Sequence, residues 1–101
     1  MKTYKTQEEV SADLDVHGNL FVENDVTFEC DIVIKGNIDA CNIYARDINA
    51  YNIIAWNINA RNINYYALCF TYKNIKCKSI KGGRDNSKHF CLDGKIIIKE
   101  V

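Results

Sequence analysis

The side chains best suited to binding a metal ion lie in the last third of the chain. They are the thiol and imidazole groups of Cys69, Cys77, His89 and Cys91. Structural zinc sites usually contain two cysteines separated by two residues, and the 101-residue sequence contains no such pair. Cys77 also falls at a repeat position where a small buried residue is expected. The sequence therefore predicts no metal site and no cofactor.

Acidic residues could also do chemistry, either as catalytic carboxylates or as calcium ligands. They occur in pairs separated by one residue, namely Asp13 and Asp15, Glu23 and Asp25, and Glu29 and Asp31. These pairs flank apolar positions of the repeat, so we expect them on the solvated outer surface. The glycines form neither a GxGxxG nor a P-loop pattern, and no nucleophile is accompanied by a base and an orienting group. We therefore predict that the protein is not an enzyme.

The elements that must position any functional residue are encoded in a tandem repeat. An aliphatic residue recurs at every fifth position, at Ile38, Ile43, Ile48, Ile53, Ile58, Ile63 and Leu68. Alanine follows two positions after most of them and Asn or Asp precedes most, which gives the unit Asn/Asp-Ile-x-Ala-x. The repeat extends upstream at a spacing of six and resumes downstream, at Leu14, Leu20, Val26, Ile32, Ile75 and Ile80. A period of five or six fits neither a helix nor an isolated strand.

Such a period is typical of a β-solenoid, in which short extended segments form the sides of a coil. Residues i and i+2 of a segment point the same way, so the Ile and Ala of each unit, and Leu68 with Phe70, are predicted to face the core. Asn suits the bends and can hydrogen-bond from coil to coil. The absence of proline agrees, because the backbone N–H groups are needed between coils. We therefore predict an all-β fold over residues 14–81, a short β-solenoid of about three to four coils.

The repeat resembles two known families. The pentads from Asn37 to about Thr71 resemble the pentapeptide-repeat family, whose fold is a right-handed, four-sided β-helix with one pentad on each side. The hexads Gly18-Asn19-Leu20-x-Val22 and Gly36-Asn37-Ile38-x-Ala40 look more like the three-sided solenoid of the bactofilins, which are polymer-forming bacterial proteins. The resemblance implies a right-handed β-helix and leaves both three and four sides open.

Both ends of the solenoid need a cap, since open coil edges pair with neighbouring molecules. Thr6-Gln7-Glu8-Glu9 has the form of a helix capping box, so residues 1–13 are predicted to form an N-terminal cap with a short helix over 6–12. Residues 82–101 are predicted to form a loop and a C-terminal β-hairpin cap, because Asp93-Gly94 lies between two apolar runs. The three parts make a single domain, and the hairpin either plugs the last coil or meets a second subunit.

Charge is distributed unevenly along a chain with no net charge. Residues 1–40 contain nine acidic and three basic residues, and residues 41–101 contain ten basic and four acidic ones. A solenoid orders the sequence along its axis, so we expect an acidic first end and a basic last end. A basic patch, which could contact phosphates or an acidic protein, is predicted at Lys73, Lys76, Lys78, Lys81, Arg84 and Lys88.

A second predicted surface combines aromatic residues and arginines at outward or bend positions of the repeat. Its residues are Tyr44, Arg46, Tyr51, Trp56, Arg61 and Tyr66. Tyr, Trp and Arg are enriched in the residues that dominate protein-binding energies. The sequence therefore predicts a protein partner at this surface, with the covering of neighbouring coils or a subunit interface as the alternative.

These surfaces suggest a non-enzymatic β-solenoid binding protein that acts by protein–protein contact. The resemblance to pentapeptide-repeat proteins implies an inhibitor or protector of a bacterial nucleic-acid-handling enzyme such as gyrase. The small size and the bias towards Ile, Asn, Lys and Tyr fit a phage or bacterial anti-CRISPR-like inhibitor equally well. The alternatives are a self-associating scaffold, for example a homodimer joined through the C-terminal hairpin, and nucleic-acid binding through the basic patch.

The cellular location is expected to be the cytoplasm. The N-terminus lacks the apolar core of a secretory signal, and no apolar run is long enough to cross a membrane. The five cysteines are accordingly expected to stay reduced.

Overall fold

The coil is closed by parallel pairing between segments that lie 15 residues apart in the sequence. In the computed structural model, which describes residues 2–99, Ile38 pairs with Ile53 and Ile43 with Ile58. Ile48 pairs with Ile63 in the same way. Three pentads therefore complete one coil, and the solenoid has three sides. The four-sided alternative is wrong.

Each side of the solenoid is a ladder of short parallel strands. The first side consists of β1 (Lys2–Tyr4), β3 (Val26–Phe28), β6 (Asn42–Tyr44), β8 (Asn57–Asn59), β10 (Ile75–Cys77) and β13 (Ile96–Ile98). The second side consists of β4 (Ile32–Val33), residues 47–50 of β7 (Asp47–Ala55), residues 62–65 of β9 (Asn62–Thr71) and β11 (Ser79–Gly82). The third side consists of β2 (Leu20–Phe21), β5 (Asn37–Asp39), residues 52–55 of β7, residues 68–71 of β9 and β12 (Lys88–Cys91). The predicted all-β solenoid is confirmed.

The core is built from columns of aliphatic side chains, one column inside each side. The first side contributes Val26, Ile43, Ile58 and Ile75, the second Ile32, Ile48 and Ile63, and the third Leu20, Ile38 and Ile53, all of them buried. Burial of each of these side chains contributes about 1.5–3 kcal/mol. Most alanines of the repeat are also buried, as predicted, and the same inward position holds the larger buried side chains of Phe28, Ile34 and Tyr65 on other coils.

One extra residue in β9 changes which side chains reach the core. Ala50 pairs with Tyr65, but Asn52 pairs with Leu68, so the ladder shifts by one position at this corner. Cys69 and Thr71 are consequently buried, whereas Leu68 and Phe70 are only half-buried. The prediction that Leu68 and Phe70 face the core is wrong.

The asparagines before the isoleucines form hydrogen-bonded ladders at the corners, as the sequence predicted. The Nδ2 atom of Asn57 donates to Oδ1 of Asn42 at 2.9 Å. At the next corner Asn62 donates to Asp47, also at 2.9 Å. These side chains add to the backbone hydrogen bonds at the corners, such as Trp56 N–H to the carbonyl oxygen of Cys41, and they tie each coil to the preceding one.

The N-terminal end is sealed by the helix α1 (Gln7–Ala12) and by β1. The capping box is confirmed: Glu9 N–H donates to the Thr6 hydroxyl at 3.2 Å, and Thr6 N–H donates to the Glu9 carboxylate at 3.1 Å. Val10 of the helix is fully buried against the core. The side-chain amide of Gln7 both donates to the carbonyl oxygen of Val33 and accepts from its N–H, each at 2.9 Å. Gln7 thus takes the place of a neighbouring strand at the edge of β4.

The C-terminal strands complete a last coil and do not form the predicted hairpin. β12 pairs in parallel with β9, and β13 pairs in parallel with β10. The chain passes the corner between them without reversing, because Asp93 N–H donates to the carbonyl oxygen of Tyr72 and Lys95 N–H donates to Oδ1 of Asn74. A Cβ atom at Gly94 would lie 2.2 Å from the carbonyl oxygen of Lys73, so the corner requires glycine. With three sides and this last coil, the solenoid has about five coils, more than the predicted three to four.

Candidate functional site

The three-sided coil distributes the predicted partner-binding residues around the molecule. Positions five residues apart in the sequence lie on successive sides or corners, and positions 15 apart lie one above the other. Tyr44 is on the outer face of the first side, Trp56 is at the corner between the third and first sides, and two stacked pairs occupy the other corners. These pairs are Arg46 with Arg61 and Tyr51 with Tyr66. The six residues do not form one surface.

The corner between the second and third sides brings three of the predicted residues together. The rings of Tyr51 and Tyr66 lie 5.1 Å apart, and the guanidinium of Arg84 lies 6.0 Å from the Tyr66 ring. Arg84 comes from the predicted basic patch, so the two predicted surfaces meet here. The Arg84 guanidinium is placed to make a cation–π contact with the ring.

The corner between the first and second sides holds an arginine that is already paired. The Nε atom of Arg61 lies 3.1 Å from Oδ1 of Asp47, and its Nη2 atom lies 3.8 Å from Oδ1 of Asp31. The hydrogen bonds from Arg61 and then Asn62 lower the pKa of Asp47. An exposed pair of this kind adds little to stability, so its main effect is to fix the position of the guanidinium.

Trp56 belongs to a continuous cluster of aromatic rings, which we call the aromatic surface. Ring centroids are 5.0 Å apart between Trp56 and Tyr72, 5.2 Å between Tyr72 and Phe70, and 4.9 Å between Phe70 and Phe90. Trp56, Tyr72 and Phe90 are 48%, 42% and 44% exposed. The cluster spans the outer face of the third side and its corner with the first side. Clustered exposed rings of this size are uncommon on a monomer and are typical of interaction sites.

Sequence reasoning found only Trp56 of the aromatic surface. Phe70 was expected in the core and Phe90 in a hairpin, because the extra residue in β9 and the parallel pairing of β12 have no simple sequence signal. The spacing of Phe70 and Tyr72 indicates that the two rings share a face, but not whether that face points inwards or outwards.

The predicted basic patch is spread over all sides of the last coils. Lys76 is on the first side, Lys81 is on the second, and Lys88 is on the third. Lys73 lies at a corner and pairs with Asp93 at 3.3 Å. The positive charge therefore surrounds the C-terminal end of the solenoid, and only Lys76 and Lys78 share a groove.

Two of the three cysteines considered for metal binding lie in the core, and Cys91 is half-buried. Cys69 is fully buried and Cys77 nearly so, and burial raises the pKa of Cys69 to about 12. His89 instead hydrogen-bonds through Nδ1 to the hydroxyl of Tyr65. Within residues 2–99, no three His, Cys, Asp or Glu side chains are placed to hold a metal ion. Over the same residues, no helix has the length and apolar character that a membrane span requires.

The chain was compared with models of protein families, with curated proteins and with solved structures, and none of them matches it.

Proposed function

We propose that this protein is a non-enzymatic binding protein that acts by protein–protein contact through the aromatic surface. The observation that carries the proposal is the unbroken chain of ring contacts from Trp56 through Tyr72 and Phe70 to Phe90. Tyr and Trp are over-represented among the residues that contribute most to binding, and their rings bury a large area with few rotatable bonds.

The backbone beneath the rings supports this proposal. Ile54, Phe70 and Phe90 occupy the same position on three successive coils, where parallel pairing fixes their spacing at about 4.8 Å. The rings are also held by each other, so little conformational entropy is lost when a partner covers them. A rigid sheet face with exposed rings is suited to a partner that presents a flat or grooved apolar surface.

For the partner, we propose a bacterial nucleic-acid-handling enzyme that the protein inhibits or protects. The support for this class is the resemblance of the pentads to pentapeptide-repeat proteins. The five cysteines are all unpaired, which supports a reducing compartment such as the cytoplasm.

The experiment compares two double variants that remove equally exposed rings from different corners. Trp56→Ser with Phe90→Ser disrupts the aromatic surface, whereas Tyr51→Ser with Tyr66→Ser removes the stacked pair of another corner. The measurements are retention of purified gyrase and of a purified CRISPR nuclease on the immobilised chain, and the effect of the chain on supercoiling and DNA cleavage. Circular dichroism establishes that each variant is folded.

We expect the wild-type chain and the Tyr51/Tyr66 variant to retain one of these enzymes and the Trp56/Phe90 variant to lose about tenfold in affinity. Equal binding by all three proteins would show that the aromatic surface is not the site. Loss in the Tyr51/Tyr66 variant alone would assign binding to the corner between the second and third sides. Failure of both enzymes to bind would exclude gyrase and this nuclease as partners.

The C-terminal end favours a second candidate function, a self-associating scaffold. β11, β12 and β13 each have a strand neighbour on one side only among the described residues, and Ile80 of β11 and Ile96 of β13 are half-buried. Unpaired edges that expose part of a core are sites of association. Sedimentation velocity tests this function: an oligomer that persists at high salt supports it, and a monomer at all concentrations excludes it.

A further inference from the structure

A shallow groove runs along the first side close to its corner with the second side. Its volume is about 610 Å³, and its floor includes Ala45, Ala60 and Cys77 on three successive coils. Adjacent strands are about 4.8 Å apart, so the floor is about 10 Å long. Small side chains along this line leave the groove open to a ligand that follows the solenoid axis.

The groove is lined by positive charge. Arg61, Lys76, Lys78 and Lys99 surround it, and no carboxylate is among its lining residues in the part of the chain that the structure describes. Arg61 is paired with Asp47 and Asp31, but the three lysines form no ion pair within residues 2–99. Three ammonium groups around one groove, with no ion-pair partner among residues 2–99, are complementary to an anionic ligand.

A second cavity lies beside the groove on the first side, over the same coils and towards the corner with the third side. Its volume is about 190 Å³, and it shares Asn59 and Lys76 with the first cavity. Tyr44, Asn59 and Lys76 occupy the same outward position on successive coils, and Tyr44 is 44% exposed. Amide groups from three corner asparagines also line this cavity, at Asn42, Asn57 and Asn74. The outward row therefore presents one aromatic ring, one amide and one cation on successive coils.

We propose that the two cavities together form a groove that binds single-stranded nucleic acid. Lys76, Lys78 and Lys99 contact phosphates, and a base stacks on the exposed ring of Tyr44. Proteins that bind single strands combine a positive groove for the backbone with aromatic rings for the bases. Asn59, between the ring and the lysines, can donate to or accept from a base edge.

The same features argue against other anions. An acidic peptide would use the lysines but has no planar base to cover Tyr44. A duplex keeps its bases stacked on each other, so their faces are not available to the ring. Only an unpaired strand uses the ring, the amides and the cations at once.

The test measures fluorescence anisotropy of labelled single-stranded DNA and RNA of about 12 nucleotides, with a duplex and a poly-glutamate peptide as competitors. Lys76→Glu with Lys78→Glu reverses two charges in the groove. Lys81→Glu with Lys88→Glu makes the same change near the same end, but on the second and third sides. Urea unfolding curves establish that the variants are as stable as the wild type.

We expect the groove variant to lose more than about tenfold in affinity for single strands and the control variant less than about threefold. Tyr44→Ser should lower the affinity by about tenfold through lost stacking. Wild-type binding should weaken with salt with a logarithmic slope of about −2, corresponding to three phosphates at about −0.7 each.

Three results would overturn the proposal. Equal losses in the two charge-reversal variants would assign binding to the general field of the basic end. Equally tight binding of the duplex or the peptide would exclude a single-strand site, and absence of measurable binding would exclude any nucleic-acid site in the groove. The Trp56/Phe90 variant is expected to bind single strands normally, so failure here is independent of the proposed function of the aromatic surface.

Discussion

Asn52 donates a hydrogen bond from its Nδ2 atom to Oδ1 of Asn37 at 3.0 Å, yet its own Oδ1 atom is buried without a hydrogen-bond partner among the described residues. The residue that pairs with Asn52 on the next coil is Leu68, which has no amide to continue the ladder. At the corner between the third and first sides, by contrast, Asn57 both donates to Asn42 and accepts from the N–H of Asn74.

Leucine substitutions at the two asparagines should therefore have unequal effects. Asn57→Leu leaves Oδ1 of Asn42 and the N–H of Asn74 unpaired. Asn52→Leu leaves only Oδ1 of Asn37 unpaired, and it removes the Asn52 Oδ1 atom, which has no hydrogen-bond partner among the described residues. We expect Asn57→Leu to cost about 1–3 kcal/mol more free energy of unfolding than Asn52→Leu. Urea denaturation measures the difference, and equal costs would contradict a structural role for the ladder.

Two neighbouring isoleucines of β7 should differ sharply in their contribution to stability. Ile53 is fully buried, whereas Ile54 on the opposite face is 36% exposed. Ile53→Ala is expected to cost about 2–5 kcal/mol, because it opens a cavity in a column of close-packed side chains. Ile54→Ala is the matched control and should cost less than about 1 kcal/mol. Denaturant unfolding of both variants checks the side-chain orientation; the reverse order would contradict it.

Gly94 should be sensitive to addition of a single methyl group. A Cβ atom there would lie 2.2 Å from the carbonyl oxygen of Lys73, whereas the nearest atom to a Cβ at Gly83 would be a ring carbon of Tyr66 at 3.3 Å. Gly94→Ala is expected to cost about 1–3 kcal/mol and to reduce amide protection in β13, which follows this corner. Gly83→Ala is the control. If hydrogen exchange in β13 stays unchanged in both variants, the close packing of Gly94 against the carbonyl oxygen of Lys73 does not fix this corner.

The stability of the fold should decline at alkaline pH. Burial raises the pKa of Cys69 from 9.0 to about 12, so the unfolded chain loses this proton more readily than the folded one. The stabilisation is complete below pH 9 and is lost as the pH rises through 12, with a slope of at most about 1.4 kcal/mol per pH unit from this group. Cys69→Ala should reduce the slope of unfolding free energy against pH between 9 and 11. An identical slope of unfolding free energy against pH in the wild type and in Cys69→Ala would contradict the attribution of the pH dependence to Cys69.

The repeat specified the inward residues well, because Ile and Ala at positions such as Ile53 and Ala55 can share a face only in an extended segment. It could not specify the number of sides, since a pentad occupies one side of either a three- or a four-sided coil. That number depends on how sharply the backbone turns at each corner, and it appears only in the pairing of residues such as Ile43 with Ile58.

The candidate sites were less predictable than the core for the same reason. A change from four sides to three moves every outward residue to different neighbours, so Tyr44 and Trp56 could not be placed relative to each other from spacing alone. The sequence does not reveal the extra residue before Leu68. Ala67 and Cys69, which are buried, are apolar, and so are Leu68 and Phe70, which the repeat predicts in the core. Asp93-Gly94 is typical of the turn of a hairpin. The chain nevertheless does not reverse there, because β12 pairs in parallel with β9 and β13 pairs in parallel with β10.

The 15-residue register also constrains how this chain can evolve in length. Duplication of one pentad between Trp56 and Tyr72 would rotate everything after it by one side, which would separate the two rings and break the asparagine ladders across the insertion. Duplication of three pentads would insert a complete coil, keep every corner aligned and lengthen the molecule by about 4.8 Å. Homologues of different length are therefore expected to differ by whole coils, with the aromatic surface and the lysine-lined groove moved along the axis but still facing the same directions.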